Sequence, residues 1–137
     1  MSLSQKGNSM YRNIDEIEGK TIKEVLTEEE ISEVYGVEDP QDIDENYQEY
    51  LEESINKKID FDYIINVSDT NTQFSAFDMD LVFIFKDKEL QKVFNVYDLE
   101  STNVINMCGN HMIVMTGHET TVHYCIETGE SSKIDTR

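Results

Sequence analysis

The residues best suited to bind a metal are concentrated in one short segment of this 137-residue sequence. All three histidines and both cysteines lie within the eighteen residues from Cys108 to Cys125. Cys108 and His111 have the Cys-x2-His spacing of a zinc-binding knuckle, and a strand would place His123 and Cys125 on one face. Four such ligands close a tetrahedral structural site. The segment therefore makes zinc a candidate cofactor, with the ligands Cys108, His111, His123 and Cys125.

The turn between the two predicted strands of this segment decides whether the four side chains can meet. A turn of two residues pairs His111 with Tyr124 and directs His111 away from His123 and Cys125. A turn of three residues pairs His111 with Cys125 and brings the histidines to the same face. The apolar pattern fits both registers. The alternative interpretation is that these are ordinary strand residues with no metal.

Two carboxylates separated by one residue, Asp78 and Asp80, form a second candidate site. On a strand this spacing places both side chains on one face, which suits Mg²⁺ and phosphoryl transfer. The string at residues 75–82 resembles the metal-binding strand of nucleotidyltransferases. That resemblance implies a small metal-dependent enzyme that uses Asp78 and Asp80. The family also has a Gly-Ser pair upstream, where this sequence has Val67-Ser68.

The net charge of −18 is concentrated in the first half of the chain. Residues 15–53 contain sixteen acidic residues against two lysines, which gives a local charge of −14. A surface of this charge repels nucleic acid and anionic membranes and attracts basic proteins. The expected partner is therefore a basic protein that itself handles nucleic acid, with no direct binding to nucleic acid or membrane.

Compartment and membrane topology follow from simpler features. No apolar run approaches the roughly 20 residues of a membrane-spanning helix. The N-terminal residues are polar and do not resemble a signal peptide, so the two cysteines indicate a reducing compartment. We therefore expect a cytoplasmic protein, and we interpret residues 1–10 as a disordered or expression-derived tail.

Helix signals occupy residues 13–58. Thr21 and Thr27 each precede a glutamate by three residues, which is the capping-box pattern. Asp39-Pro40 has an N-cap residue followed by proline at the first helical position. The predicted helices are 14–18, 22–26, 28–35 and 40–58.

These helices direct many carboxylates away from their apolar stripes. In the helix at 40–58, Glu45, Glu49 and Glu52 are aligned with no basic residue three or four positions away. Like charges at that spacing repel each other, so a solvated helix usually mixes signs. Solubility alone is the alternative explanation. The residues predicted to bind a partner are Glu28, Glu29, Glu30, Glu33, Glu45, Glu49, Glu52 and Glu53.

After Lys58 the apolar residues alternate as in strands. The run at 79–86 is nearly all apolar and predicts a central strand covered on both faces. The predicted fold is α+β, with N-terminal acidic helices packed on a five- or six-stranded mainly antiparallel sheet. We expect residues 11–137 to form a single domain, with a helical layer at 13–58 and the sheet at 59–128. The predicted strands are 59–67, 79–86, 90–97, 103–107, 111–116 and 120–127.

The favoured function is a non-enzymatic acidic binding protein that blocks a basic, nucleic-acid-handling partner by mimicking phosphate charge. Small phage-encoded inhibitors of host defence and immunity proteins against nuclease toxins are similar to this chain in charge and size. Two alternatives come from other classes. One is the metal-dependent enzyme that uses Asp78 and Asp80, and the other is an adaptor or subunit whose acidity serves solubility.

Overall fold

The computed structural model describes residues 11–36, 45–78, 80–107, 110–118 and 120–135. The predicted tail at 1–10, the helix start at Asp39-Pro40 and the candidate ligand Cys108 lie outside the described residues. The chain divides into two compact units. The first comprises the residues up to Asp60 together with Lys88–Leu90, and the second comprises Phe61–Asp87 and the chain from Gln91 onward. A single domain over residues 11–137 stays a prediction.

Four helices of the first unit are described, and local capping signals set their starts. Thr21 and Thr27 each accept a hydrogen bond from the backbone N–H three residues on, and the Glu24 and Glu30 carboxylates each accept one from the backbone N–H of the capping threonine. Both predicted capping boxes are confirmed, and the third helix has its predicted bounds. The helices are α1 (Ile14–Ile17), α2 (Ile22–Val25), α3 (Glu28–Tyr35) and α4 (Glu45–Ile55).

Helix α4 ends at Ile55, so the predicted continuation to Lys58 is wrong. The cause is a pairing that the helical pattern does not reveal. Ile59 donates its N–H to the Lys20 carbonyl over 2.7 Å and accepts from the Gly19 N–H over 2.9 Å. Lys58 forms a β-bridge with Thr21. These bonds require extended backbone at 58 and 59, and the helix must end before them.

The apolar stripe of α4 is only half-buried. Tyr47, Leu51 and Ile55 are partly buried. Among the described residues of this helix, Ser54 alone is buried. The Tyr47 hydroxyl donates to the carbonyl of Tyr35. This bond satisfies one of the carbonyls that the end of α3 leaves without an intrahelical partner.

The segment Lys88–Leu90 belongs to the first unit through its bonds to the N-terminal chain. Leu90 donates its N–H to the Arg12 carbonyl over 2.7 Å, and Ile14 donates to the Lys88 carbonyl over 2.9 Å. The Arg12 guanidinium also donates to the Leu90 carbonyl over 2.9 Å. These three bonds attach a distant stretch of sequence to the start of α1.

The second unit contains two four-stranded antiparallel sheets, one in the order β1-β2-β3-β4 and the other in the order β5-β6-β7-β8. The α+β class and the antiparallel pairing are confirmed, whereas a single sheet of five or six strands is wrong. The first two residues of β4 belong to the Lys88–Leu90 segment. The strands are β1 (Tyr63–Val67), β2 (Thr72–Phe77), β3 (Leu81–Lys86), β4 (Glu89–Asn95), β5 (Ser101–Met107), β6 (Asn110–Thr116), β7 (Thr120–Cys125) and β8 (Ser131–Asp135).

Two of these strands, β2 and β8, have no counterpart among the predicted ones. β2 starts with the polar residues Thr72-Gln73, directly after a polar turn at Ser68–Thr70. β8 reads Ser-Ser-Lys-Ile-Asp and has no alternating apolar pattern. Backbone pairing with β7 forms this strand, with Tyr124 opposite Ser131. An edge strand that buries few side chains gives little signal in its own sequence.

Residues of both sheets meet in one apolar core. Strand β3 is buried at all five positions from Leu81 to Phe85, as predicted for a central strand. On the other side of the first sheet, the Phe61 ring packs edge-on against Phe83 and Phe85, with centroids 5.4 and 6.0 Å away. Full burial of a large apolar side chain contributes about 1.5–3 kcal/mol. The buried core residues are Val67, Phe74, Ala76, Val82, Ile84, Val96, Leu99, Ile113, Met115, Val122, Tyr124 and Ile126.

Candidate functional site

The β6–β7 register differs from both predicted registers. Thr116 pairs with Thr121, and Met112 pairs with Cys125. The loop between the paired residues is therefore four residues long, and the Gly117 N–H closes it on the Thr120 carbonyl at 2.7 Å. The His111 carbonyl accepts from Ile126, the position after Cys125.

This register separates the candidate zinc ligands. His111 lies on the same face of the sheet as the buried Ile113, whereas His123 and Cys125 lie on the opposite face. The three described members of the candidate set therefore do not converge. Within the described part of the chain, no group of three His, Cys, Asp or Glu side chains could hold a metal ion.

His111 instead contacts a carboxylate of the turn that follows β1. Its Nε2 lies 3.2 Å from Asp69 Oδ2, and the histidine side chain is only 16% exposed. Nδ1 is buried with no hydrogen-bond partner among the described residues. A histidine held by a carboxylate is the base half of a catalytic triad, but that chemistry also needs a hydroxyl or thiol at the other ring nitrogen. None is within hydrogen-bonding distance of Nδ1 in the described residues. The contact links β6 of one sheet to the turn after β1 of the other.

Cys125 is a free thiol at the end of β7. Hydrogen bonds from the hydroxyl and then the backbone N–H of Thr128 lower the pKa of Cys125. The adjacent Tyr124 has a raised pKa, chiefly because burial disfavours its charged form and secondarily because of Cys125. The turn after β7 therefore stabilises a thiolate without any basic side chain, a local effect that the negative net charge of the sequence conceals.

Asp78 and Asp80 lie in the turn between β2 and β3, so the premise that a strand carries both is wrong. Asp78 has a left-handed backbone with φ 57°. The Asp80 carboxylate accepts from the Asp98 N–H over 2.8 Å, and the Asp80 carbonyl accepts from Val96 over the same distance. Burial, and then the charge of Asp80, raise the pKa of Tyr97. Asp80 thus fixes the turn after β4.

The predicted acidic residues of α3 have two different roles. Glu28, Glu29 and Glu33 are exposed. Glu30 is half-buried, caps α3 through the Thr27 N–H at 2.9 Å, and lies 3.4 Å from Arg12 Nη1. Glu30 therefore has structural partners, and the exposed carboxylates of this helix are the other three.

Helix α4 presents its carboxylates together. Glu45, Glu49, Glu52 and Glu53 are all exposed and line one open surface depression, which we call the α4 acidic face. Gln48 and Asn56 complete its described lining. Ion pairs elsewhere in the described residues join Glu30 to Arg12, Asp69 to His111 and Glu100 to His118. The two amides were not among the predicted binding residues, although their helical spacing with Glu45 and Glu52 places them on the same side.

The negative charge is unequal between the units. The first unit has 18 acidic and 7 basic residues, a net charge of −11, and the second has 11 and 4, a net charge of −7. The α4 acidic face belongs to the more acidic unit. Its four carboxylates and two amides can accept hydrogen bonds from lysine and arginine side chains, which are the donors that match them.

Comparison with protein families, with curated proteins and with solved structures gives no significant match. Among the described residues, no helix has the length and apolarity to cross a membrane. The function must therefore be argued from the residues themselves.

Proposed function

We propose that this chain is a non-enzymatic binding protein whose acidic helical layer blocks a basic, nucleic-acid-handling protein. The observation that carries the proposal is the α4 acidic face, where four exposed carboxylates lie on one helix with no basic residue between Glu45 and Asn56. The exposed carboxylates of α3, Glu28, Glu29 and Glu33, extend the candidate surface.

Electrostatic cost supports binding over solubility as the role of this face. Each like-charged pair three or four residues apart costs about 0.2–0.5 kcal/mol of helix stability. Glu49 has three such neighbours, Glu45, Glu52 and Glu53. Acidic residues spread over the surface would give the same solubility without this cost.

The spacing of the face suits a groove that binds nucleic acid. Four residues of helix rise by about 6 Å, which is of the same order as the roughly 3.4 Å between phosphates along one DNA strand. A rigid helix with carboxylates at that spacing can occupy the basic cleft of a nuclease or another DNA-binding protein. The proposed class is a cytoplasmic DNA mimic of the phage anti-defence or toxin-immunity type.

Charge reversal on the α4 acidic face tests the proposal. The immobilised chain should retain a basic protein from a lysate of its native host at low salt and release it at moderate salt, because screening weakens exposed charge pairs. The triple variant Glu45→Lys, Glu49→Lys, Glu52→Lys should lose that retention while keeping its circular dichroism spectrum. The measurement is the salt concentration at which the retained protein elutes.

A matched variant separates this face from net charge. Glu100→Lys, Glu127→Lys, Glu130→Lys makes the same change in net charge at exposed positions of the second unit. It should elute the partner close to the wild-type salt concentration. Equal losses in both triple variants, or retention that is indifferent to salt, would contradict the proposal.

A further inference from the structure

The two lateral edges of the paired sheets in the second unit differ in charge. Tyr63 of β1 and Thr102 of β5 contact each other through their hydroxyl oxygens at 3.4 Å, so the edge strands β1 and β5 lie on the same side. Their sequences, YIINV and STNVINM, contain no charged residue. We call this side the β1/β5 edge.

The opposite edge strands carry charges of both signs. Lys92 is on β4, and Lys133 and Asp135 are on β8. Charged side chains on edge strands, lysine above all, are a common protection against pairing with another chain. Charged residues make up 29% of the sequence, so twelve residues would on average include three or four of them. The β1/β5 edge therefore lacks the protection that the other edge has.

The unprotected edge also exposes large apolar side chains. Ile64 of β1 is 42% exposed, and Ile105 and Met107 of β5 are 43% and 51% exposed. Neither strand contains proline. An uncharged edge strand with exposed apolar residues and outward-facing backbone N–H and C=O groups is a template for strand addition.

We propose that the β1/β5 edge pairs with the same edge of a second copy of this chain, with β5 antiparallel to β5 of that copy. Charge selects this occupant. Two copies at −18 repel each other wherever their carboxylates meet, and the strands of this edge carry none. The carboxylates that directly precede them are Asp62 and Glu100, and antiparallel pairing of β5 with its copy puts the two Glu100 residues at opposite ends of the contact. The strands themselves offer no carboxylate to a basic partner. Antiparallel pairing of one strand with its own copy has the two-fold symmetry of the commonest dimers.

The size of the edge sets the strength of the dimer. Seven residues of strand extend over about 24 Å, and two stacked sheets are about 10 Å apart. With side chains, such an edge covers roughly 400–500 Å² per copy, against the roughly 800 Å² per partner of a standard stable interface. The dimer is therefore weak and reversible, and its population depends on protein concentration.

Sedimentation velocity of the full chain, from low micromolar to near-millimolar concentration, tests the proposal. The dimer fraction should rise with concentration. It should rise further in about 0.5 M NaCl, where a Debye length of about 4 Å screens the repulsion between copies. Salt thus strengthens this association but weakens the binding proposed for the α4 acidic face, so the two proposals fail independently.

Two substitutions at similarly exposed isoleucines place the contact. Ile105→Lys puts a charge at the β1/β5 edge and should weaken dimerisation at least tenfold, because pairing would desolvate the ammonium group. Ile134→Lys makes the same change in net charge on β8, at a residue that is 46% exposed, and should leave dimerisation unchanged. Ile64→Lys should weaken it as Ile105→Lys does.

Two results would overturn the proposal. One is a wild-type chain that stays monomeric at the highest concentration in high salt. The other is a dimer that Ile105→Lys and Ile134→Lys weaken equally, which would place the contact on the sheet face and not at its edge.

Discussion

Gly117 lies where the backbone leaves no room for a side chain. A Cβ atom there would be 1.6 Å from the Val96 carbonyl oxygen and 2.6 Å from its carbon. Because both atoms belong to the backbone, the β6–β7 loop or the turn after β4 must move. We expect Gly117→Ala to lower the free energy of unfolding by about 3 kcal/mol, at the upper end for overpacking. Urea denaturation measures this loss.

Gly19→Ala is the matched control for that substitution. Gly19 has φ 88°, and an added Cβ meets nothing within 4 Å. The variant therefore suffers only the left-handed strain of about 1–2 kcal/mol. Equal losses of stability in the two variants would contradict the predicted clash between an added Cβ and the Val96 carbonyl.

At the scale of single residues, the sequence identified reactive side chains but not their partners. Asp80 is a residue type that often binds metals, yet its carboxylate accepts a hydrogen bond from the Asp98 N–H. That N–H is available because Tyr97 and Asp98 both have positive φ, and neither is a glycine or an asparagine that would signal such a turn. His111 is similar, since its contact with Asp69 depends on how two sheets meet.

At the scale of secondary-structure elements, the capping box of helix α2 makes the stability of the folded protein depend on pH. Hydrogen bonds from the backbone N–H and then the hydroxyl of Thr21 lower the pKa of Glu24 in the folded protein. A lowered folded pKa means stability that is present at neutral pH and is lost as the pH falls through that pKa. Glu24→Gln should therefore be less stable than wild type at pH 7, and the difference should disappear in acid.

Urea midpoints of wild type and Glu24→Gln, measured from pH 7 down to the acid transition, follow this difference. Glu53→Gln makes the same charge change at an exposed position without a capping box and should not be less stable than wild type at pH 7. A difference between wild type and Glu24→Gln that stayed constant with pH would contradict the assigned role of the capping box.

Predictability of the elements follows the range of the interactions that form them. The helices α2 and α3 begin at capping boxes made by residues three apart, and their starts were predicted correctly. The end of α4 depends on the pairing of Ile59 with Lys20, about forty residues away, which no local pattern contains. Strand β8 likewise depends on its neighbour β7.

For the whole molecule, the acidic surface opposes folding while it serves the proposed binding. Glu49→Gln removes three like-charge contacts on α4 and should raise the free energy of unfolding by about 0.6–1.5 kcal/mol at low salt. The gain should vanish in 1 M NaCl, where the Debye length is about 3 Å. Thermal denaturation at the two salt concentrations measures it.

Glu127→Gln provides the comparison, because Glu127 is exposed outside any helix. At low salt, Glu127→Gln should change the free energy of unfolding less than Glu49→Gln does. A Glu49→Gln variant that is less stable than wild type would show that the α4 carboxylates stabilise the helix.

The number of sheets was the part of the architecture that the sequence could not provide. Alternating runs predicted strands and the antiparallel arrangement, but not which strands share a sheet. That division follows from the Tyr97-Asp98 turn, where the chain passes from β4 of one sheet to β5 of the other. With β2 and β8 added, six expected strands in one layer become eight strands in two layers.

Because Lys88–Leu90 belongs to the first unit, that unit cannot finish folding until this later segment has been synthesised. Arg12 bonds to Leu90, and Ile14 bonds to Lys88. Between Asp60 and this segment, the chain passes through 27 residues of the other unit, Phe61–Asp87. A ribosome adds about 5–20 residues per second, so these bonds become available a few seconds after Asp60 has been made. Until then the backbone groups of Arg12 and Ile14 are hydrated, and the helical half of the protein is a nascent chain that cannot yet reach its final structure.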